Sequence, residues 1–233
     1  MRIALFTTSR TTIPPQPGII AASAYLTGLL ADGLVERGHE VTLYAPQGSV
    51  SKANIIDLGI PPVELDYAMH PQEWVKHVNL LSKQQYISAM IADSGQYDVI
   101  HLQTEPVYAG FPFVRFSKAP VVATNHNVFL QEESMIWQQY RDIPIVTISR
   151  YQRSTMPEIN HFETVYDGIP VHEFPLYPHD SAHAYIGFIG RLVRVKGVED
   201  AIAAAKTGSV PLVITGVGTK QYIESTITPN CSD

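Results

Sequence analysis

Arg191 and Lys196, five residues apart in Gly190-Arg191-Leu192-Val193-Arg194-Val195-Lys196-Gly197, are the side chains whose type and spacing speak most directly of chemistry. The apolar run before Gly190 predicts a strand that delivers Arg191 to its C-terminal end. Lys196 stands just before a predicted helix N-terminus. Such strand ends and helix starts are where α/β sheets bind anions, because unpaired N–H groups and the helix dipole point there. Two fixed cations at that place would hold a diphosphate, whereas two solvated charges at ordinary element ends would do nothing. His126 follows the apolar run Val121-Val122-Ala123 and is expected at a cleft, with a loop histidine that caps local backbone as the plainer reading. His101 ends another apolar run and fits a satisfied structural histidine as well as a cleft role, and Glu105 before Pro106 could face a second ligand but fits a helix-initiating acid slightly better. Gly18 in Pro14-Pro15-Gln16-Pro17-Gly18 could let backbone amides approach a phosphate, but Ile19 beside it is β-branched and restricts that approach. Gly216 and Gly218 form a lone GxG that suits a nucleotide loop or a plain strand-to-helix turn.

These residues need a scaffold of alternating strands and helices, and the sequence predicts one. Strands are expected at Arg2 to Thr7, Val41 to Ala45, Tyr97 to Leu102, Pro120 to Thr124, Pro144 to Ile148 and near Thr164 to Tyr166. Leu26, Leu29, Leu30 and Leu34 share a helical face that ends at Gly38, a C′ glycine. Pro71 to Asp93 reads as a long helix, with Trp74, Val78 and Leu81 on one stripe continued by Ile87, Met90 and Ile91. Trp74, Lys76 and Lys83 on it could touch a membrane, but a sparse pair of lysines on an acidic protein reads rather as a solvated face. The interval 169–184 has three prolines and no apolar period, so it reads as a linker between a domain at 1–168 and a partial one at 185–233. The second carries strands at Tyr185 to Gly190 and Val210 to Thr215, and helices at Val198 to Lys206 and from Lys220.

Composition narrows the classes. With 233 residues, 45% of them hydrophobic and a net charge of −6, the chain can bury a real core and is a poor candidate for a nucleic-acid groove. Stable membrane insertion is not expected, as no stretch approaches the roughly 20 apolar residues of a span. The single cysteine, Cys231, rules out an intramolecular disulfide and fits a cytoplasmic protein. The nine histidines form no metal-binding motif, so no metal site is expected. A nicotinamide-dependent oxidoreductase is disfavoured, because Thr7 to Gly18 contains no GxGxxG and Ala45-Pro46-Gln47 stands where the ribose-binding acid would be.

Taken together and in order, six segments resemble the retaining glycosyltransferases of family 4 in the GT-B class. They are Arg37-Gly38-His39-Glu40-Val41, Tyr97-Asp98-Val99-Ile100-His101, Thr124-Asn125-His126-Asn127, Ile148-Ser149-Arg150, Asp167-Gly168-Ile169-Pro170 and Gly190-Arg191-Leu192 with Lys196-Gly197. Asp167 stands where the family usually has Asn, and Ile19 where it usually has a second glycine. The resemblance implies an α/β fold of GT-B type: an N-terminal Rossmann-like doubly wound parallel sheet on the acceptor side, then the first half of a second, donor-binding Rossmann-like domain. It implies transfer of a sugar from a nucleoside diphosphate sugar to an unknown acceptor hydroxyl, with retention and without metal or other cofactor. His126 would then contact the donor sugar, Arg191 and Lys196 the diphosphate, and Gly18, Gly216 and Gly218 the donor through backbone. The family's two later glutamates have no counterpart after Glu224. The chain is therefore expected to be truncated and impaired alone, with a homo-oligomer or a complementing C-terminal half as partner. A noncatalytic sugar-nucleotide-binding chain is the alternative.

Overall fold

The computed structural model describes residues 1–63, 72–156, 158–175 and 185–231. The chain divides into two compact units, Met1–Ile169 and Pro170–Asp233. The expected helix start at Pro71, and residues 176–184 of the expected linker, lie outside the described residues.

Unit 1 is built on seven parallel strands: β1 Arg2–Phe6, β2 Glu40–Tyr44, β3 Asn54–Ile56, β4 Val99–Leu102, β5 Val121–Asn125, β6 Ile145–Thr147 and β7 His161–Thr164. Their order is β3-β2-β1-β4-β5-β6-β7. The order reverses between β1 and β4, and a doubly wound sheet opens its ligand crevice at the carboxyl ends of the strands at such a point. Side chains of β1 alternate with period two, so Ile3 and Leu5 join one buried cluster and Ala4 and Phe6 the other. Both faces of the strand are thus covered by apolar packing, as a parallel sheet requires. The edge strand β3 is missing from the sequence reading because three residues carry no recognisable alternation.

Helix α1, Ala22–Glu36, turns Ser23, Ala24, Thr27 and Ala31 inward and leaves the four leucines half-buried at the sides. The expected leucine face is therefore displaced, because small side chains are needed where the helix lies close. A Cβ on Gly28 would already stand 3.0 Å from Cγ2 of Ile13. The helix stops as predicted: Gly38 has φ +83°, its N–H donates to the Val35 carbonyl at 2.9 Å, and His39 N–H donates to Leu34 at 3.1 Å. Helix α2, Gln72–Ala92, buries Val75, Ser82, Lys83, Tyr86, Ile87, Met90 and Ile91. Trp74 and Leu81 are 44% and 49% exposed, so the first half of the expected stripe is wrong and its continuation right. Helices α3 Phe111–Val114, α4 Ser134–Gln139 and α5 Arg150–Thr155 complete the unit. Trp137 of α4 anchors them, packing edge-on against Tyr108 and Phe111.

Unit 2 holds β8 Ile186–Ile189, α6 Val198–Gly208, β9 Leu212–Thr215 and α7 Lys220–Tyr222. The strands pair in parallel, Phe188 opposite Ile214 and Ile189 opposite Thr215. Phe188, Leu212 and Ile214 pack on Leu192, Val198, Ile202 and Ile227, whereas Ile189 and Val213 on the other face are 87% and 49% exposed. One covered face is the first half of a doubly wound unit. Among the described residues, no helix is long and apolar enough to cross a membrane.

Candidate functional site

At the carboxyl edge of the unit 1 sheet, β1, β4 and β5 end side by side and release Thr7, Gln103 and His126. Gln103 is clamped by its backbone: its N–H donates to Phe6 at 2.9 Å and its carbonyl accepts from Thr7 Oγ1 at 3.1 Å. Its side-chain Oε1 lies 3.0 Å from His126 Nε2 and accepts from Thr27 Oγ1 at 3.3 Å. The other end of the same carboxamide, Nε2, is buried with no hydrogen-bond partner among the described residues.

His126 is itself nearly enclosed, with its side chain 6% exposed, and its Nδ1 lies 3.7 Å from Oδ1 of Asp167. Burial pushes its pKa below the ordinary histidine value, and the carboxylates of Asp167 and Glu105 oppose that shift. The backbone carrying the ring is also fixed. Gln152, on α5, donates from Nε2 to the carbonyls of Asn125 and Asn127, both at 2.8 Å, while its Oε1 accepts from Ile148 N–H at 2.8 Å. Asn125 adds a bond from Nδ2 to the Asn127 carbonyl at 2.9 Å. A histidine held on both flanks loses little entropy on meeting a ligand. His101 is a different case: its Nε2 sits 2.7 Å from Thr124 Oγ1, and burial, helped by His126, lowers its pKa to about 4. It is a satisfied neutral histidine of the strand end.

Lys83 corrects the solvated-face reading. It is 5% exposed, and its ammonium donates to the Glu105 carbonyl in the segment after β4. Burial lowers its pKa to about 8, with the Glu105 carboxylate raising it and Arg10 lowering it. Between about 8 and the ordinary 10.5 the unfolded chain holds a proton that the folded chain has released, so this group makes stability rise with pH across that window. Below pH 8 the folded state carries the cost of a buried charge. Wild type is therefore expected to gain stability relative to Lys83→Met between pH 8 and 10.5, read as the difference in urea midpoints. A flat difference would show that Lys83 is solvated.

Gly18 is exposed and occupies the third position of a turn closed by Ile19 N–H to the Gln16 carbonyl at 3.0 Å. Its φ of +88° explains the glycine, since a Cβ there would meet nothing within 4 Å.

In unit 2, Arg191 follows β8 and Lys196 precedes Gly197, the N-cap of α6 with φ +76°. Both cations are exposed, and neither side chain has a hydrogen bond or ion pair among the described residues. Glu199 and Asp200 already occupy the first turn of α6 and complement its dipole. Attraction for an anion there falls to the cations rather than to the helix. Gly216 and Gly218 have a sufficient packing reason. A Cβ on Gly216 would lie 1.8 Å from the Gly190 carbonyl oxygen, and one on Gly218 2.6 Å from that of Leu192. The same approach brings Gly190 N–H to Thr215 O at 3.1 Å and Leu192 N–H to Val217 O at 2.7 Å.

Sequence reasoning singled out His126, Arg191 and Lys196 but missed Gln103, Gln152 and Lys83. Only Gln103 left a usable signal: it is the first polar residue beyond a buried strand at the point where strand order reverses. Among the described residues, no group of three or more His, Cys, Asp or Glu is placed to hold a metal ion.

Against this geometry stand the comparisons with known proteins. No curated protein matches the chain. AviGT4, a glycosyltransferase involved in avilamycin A biosynthesis, matches 98% of this chain and 61% of its own, at 16% identity and a TM-score of 0.63. A sucrose-phosphate synthase from Thermosynechococcus elongatus matches 98% of this chain and 67% of its own, at 17% identity and a TM-score of 0.69. HepE from Anabaena, solved with UDP and glucose, matches 98% of this chain and 66% of its own, at 14% identity and a TM-score of 0.60. Identities this low speak for the fold, which is of GT-B type, and the chain spans 61% to 67% of the length of these structures. The model of Glycosyltransferase Family 4 matches residues 25–166, more than half of the chain and a stretch that includes Gln103 and His126. A βα scaffold wound on both faces, with the matched stretch running from α1 to just past β7, thus has one family assignment: the chain belongs to glycosyltransferase family 4.

Proposed function

We propose that the chain takes part in moving a hexose from a nucleoside diphosphate sugar to an acceptor hydroxyl, with retention and without a metal. Unit 1 serves the acceptor side and unit 2 the donor diphosphate, with 169–184 between them as linker. The observation that carries this reading is the enclosed His126, fixed by Gln103 and Gln152 at the carboxyl edge where a doubly wound sheet binds ligands. Its Nε2 is engaged, while its Nδ1 stands 3.7 Å from Asp167, too long for a hydrogen bond, and is the atom that would meet a hydroxyl of the donor sugar. As the glycosidic bond to the diphosphate breaks, negative charge grows on the leaving oxygen. Arg191 and Lys196, cations without partners among the described residues, would stabilise it. Amides near Gly18, Gly216 and Gly218 would approach the donor as secondary contacts.

Support comes from the family membership and from the likeness of fold to a structure solved with UDP and glucose. The test is a thermal-shift and calorimetric titration with UDP, GDP and ADP and with their glucose derivatives. One base is expected to bind, with the diphosphate supplying most of the affinity, and His126→Ala to weaken the sugar derivative while leaving the bare diphosphate unchanged. Failure of all six ligands to bind would end the reading. Binding without sugar transfer in the chain or in any longer form would favour a noncatalytic sugar-nucleotide-binding protein.

A further inference from the structure

We propose that Glu105 receives the acceptor: its carboxylate takes hydrogen bonds from neighbouring hydroxyls of a neutral sugar or similar polyol at the carboxyl edge of unit 1. This rests on the reading that unit 1 serves the acceptor side. The fold leaves this carboxylate unused. A helix-initiating acid bonds the first amides of the helix it opens, yet the short turn Val107–Gly110 starts from Pro106 without any side-chain cap. Thr104, not Glu105, ties that turn, its Oγ1 donating to the Pro106 and Val107 carbonyls, both at 3.3 Å. The Glu105 carboxylate makes no hydrogen bond or ion pair among the described residues, and the residue is half-buried rather than out in solvent. Two residues earlier, one end of the Gln103 carboxamide is likewise buried without a partner among the described residues.

The backbone that carries Glu105 is, by contrast, held from three sides. Gln103 N–H donates to the Phe6 carbonyl at 2.9 Å, Ala109 N–H donates to Pro106 at 3.1 Å, and the ammonium of Lys83, 5% exposed, donates to the Glu105 carbonyl itself. A side chain on so fixed a backbone has less ordering entropy to lose when it meets a ligand. Its place is the segment just past β4, beside the point where strand order reverses and a doubly wound sheet takes its ligand. There its charge reaches both Lys83 and the enclosed His126. The chemistry of the group selects the partner. A carboxylate has two oxygens and no proton to give, so it pairs with donors, and adjacent hydroxyls of a sugar supply two. A phosphate or carboxylate on the acceptor would meet like charge at Glu105, with Asp167 also facing the His126 ring. Of the two cations whose charges meet beside Glu105, Lys83 is enclosed and already bonded, and only Arg10 is exposed to an anionic acceptor.

The experiment is an NMR titration of the 233-residue chain with the methyl α-glycosides of glucose, mannose and galactose, and with glucose 6-phosphate and glucuronic acid as anionic counterparts. Glu105→Ala and Glu105→Gln are the variants. At least one neutral glycoside is expected to bind wild type more tightly than either anion and to shift the amides of Gln103, Thr104, Glu105 and Val107. Both variants should bind it about tenfold or more weakly, the loss of one charge-assisted contact. Melting temperature and affinity for nucleoside diphosphate should stay at wild-type values, because the carboxylate bonds nothing in the fold. Any one of four results overturns the proposal: no neutral glycoside binds, the shifts fall on other amides, an anion binds more tightly than the neutral glycosides, or the variants bind as wild type does. The wild-type titration decides even if a variant fails to fold. Nucleotide binding without Glu105-dependent glycoside binding removes this site alone. Glycoside binding that depends on Glu105, in a chain that binds no nucleotide, keeps the site and ends the donor reading.

Discussion

Replacing both Arg191 and Lys196 by alanine is expected to weaken nucleoside diphosphate binding by about 100-fold or more while the melting temperature stays at the wild-type value. Each charge-assisted contact to a phosphate contributes roughly 1.5 to 3 kcal/mol, about ten-fold or more in affinity for either residue. The stability half of the expectation follows from exposure. Neither side chain is buried or bonded among the described residues, so truncation leaves no cavity and no orphaned partner. The loss should shrink as salt is added, because both groups are open to solvent and their attraction for a phosphate is screened within about 10 Å at 0.1 M. Lys206→Ala is the control, compared per charge: one positive charge leaves unit 2 where the double variant removes two, and it leaves from a lysine bonded to Asn230 at the end of α6. If the control and the double variant weaken binding equally, the effect is net charge and the two residues are no site. If the double variant binds as wild type does, the diphosphate lies elsewhere.

How far the sequence could foresee this molecule is clearest from two helices. Along α1, periodicity named a face one position, about 100°, away from the buried one, because hydrophobicity ranks leucine above alanine and says nothing about distance. The inward line is Ala24, Thr27 and Ala31, and a Cβ on Gly28 would stand 3.0 Å from Ile13. Along α2 the apolar pattern held from Ile87 onward, where the helix covers the middle of the sheet. It failed nearer the N-terminus, where the helix passes the strand ends and polar groups are buried for their bonds: Ser9 Oγ donates to Asn79 Oδ1 at 3.0 Å, and Lys83 to Glu105. A buried lysine looks like a surface lysine in one dimension. His126 and Arg191 drew notice because each follows an apolar run, and Lys196 because it precedes a helix start. Gln152 did not, since its bonds to Asn125 and Asn127 join residues 25 and more apart and no local pattern encodes them. At Gly216 and Gly218 the sequence shows a GxG, and only the structure shows the carbonyls that a Cβ would strike.

Gly216→Ala is accordingly expected to unfold unit 2 while unit 1 persists. The added Cβ would stand 1.8 Å from the Gly190 carbonyl oxygen and 3.0 Å from its carbon, both backbone atoms that no rotamer change can move aside. Relief requires the segments after β8 and β9 to part. That breaks the bonds from Gly190 to Thr215 and from Leu192 to Val217, and it draws Leu192 out of the small core it shares with Val198, Ile202 and Ile227. Overpacking and two lost hydrogen bonds together cost about 3 kcal/mol or more. A core of four buried residues has little to set against that loss. Hydrogen exchange should show β8, α6 and β9 losing protection while β1, β4 and β5 keep theirs, because the seven-stranded sheet has its own two clusters. Gly168→Ala, where an added Cβ would meet nothing within 4 Å, should leave both units protected. Protection of β8 and β9 at the wild-type level in Gly216→Ala would contradict the close approach itself. Lost nucleotide binding in Gly216→Ala would report an unfolded unit 2, so the proposed donor site must be probed through Arg191 and Lys196, whose removal leaves the backbone in place.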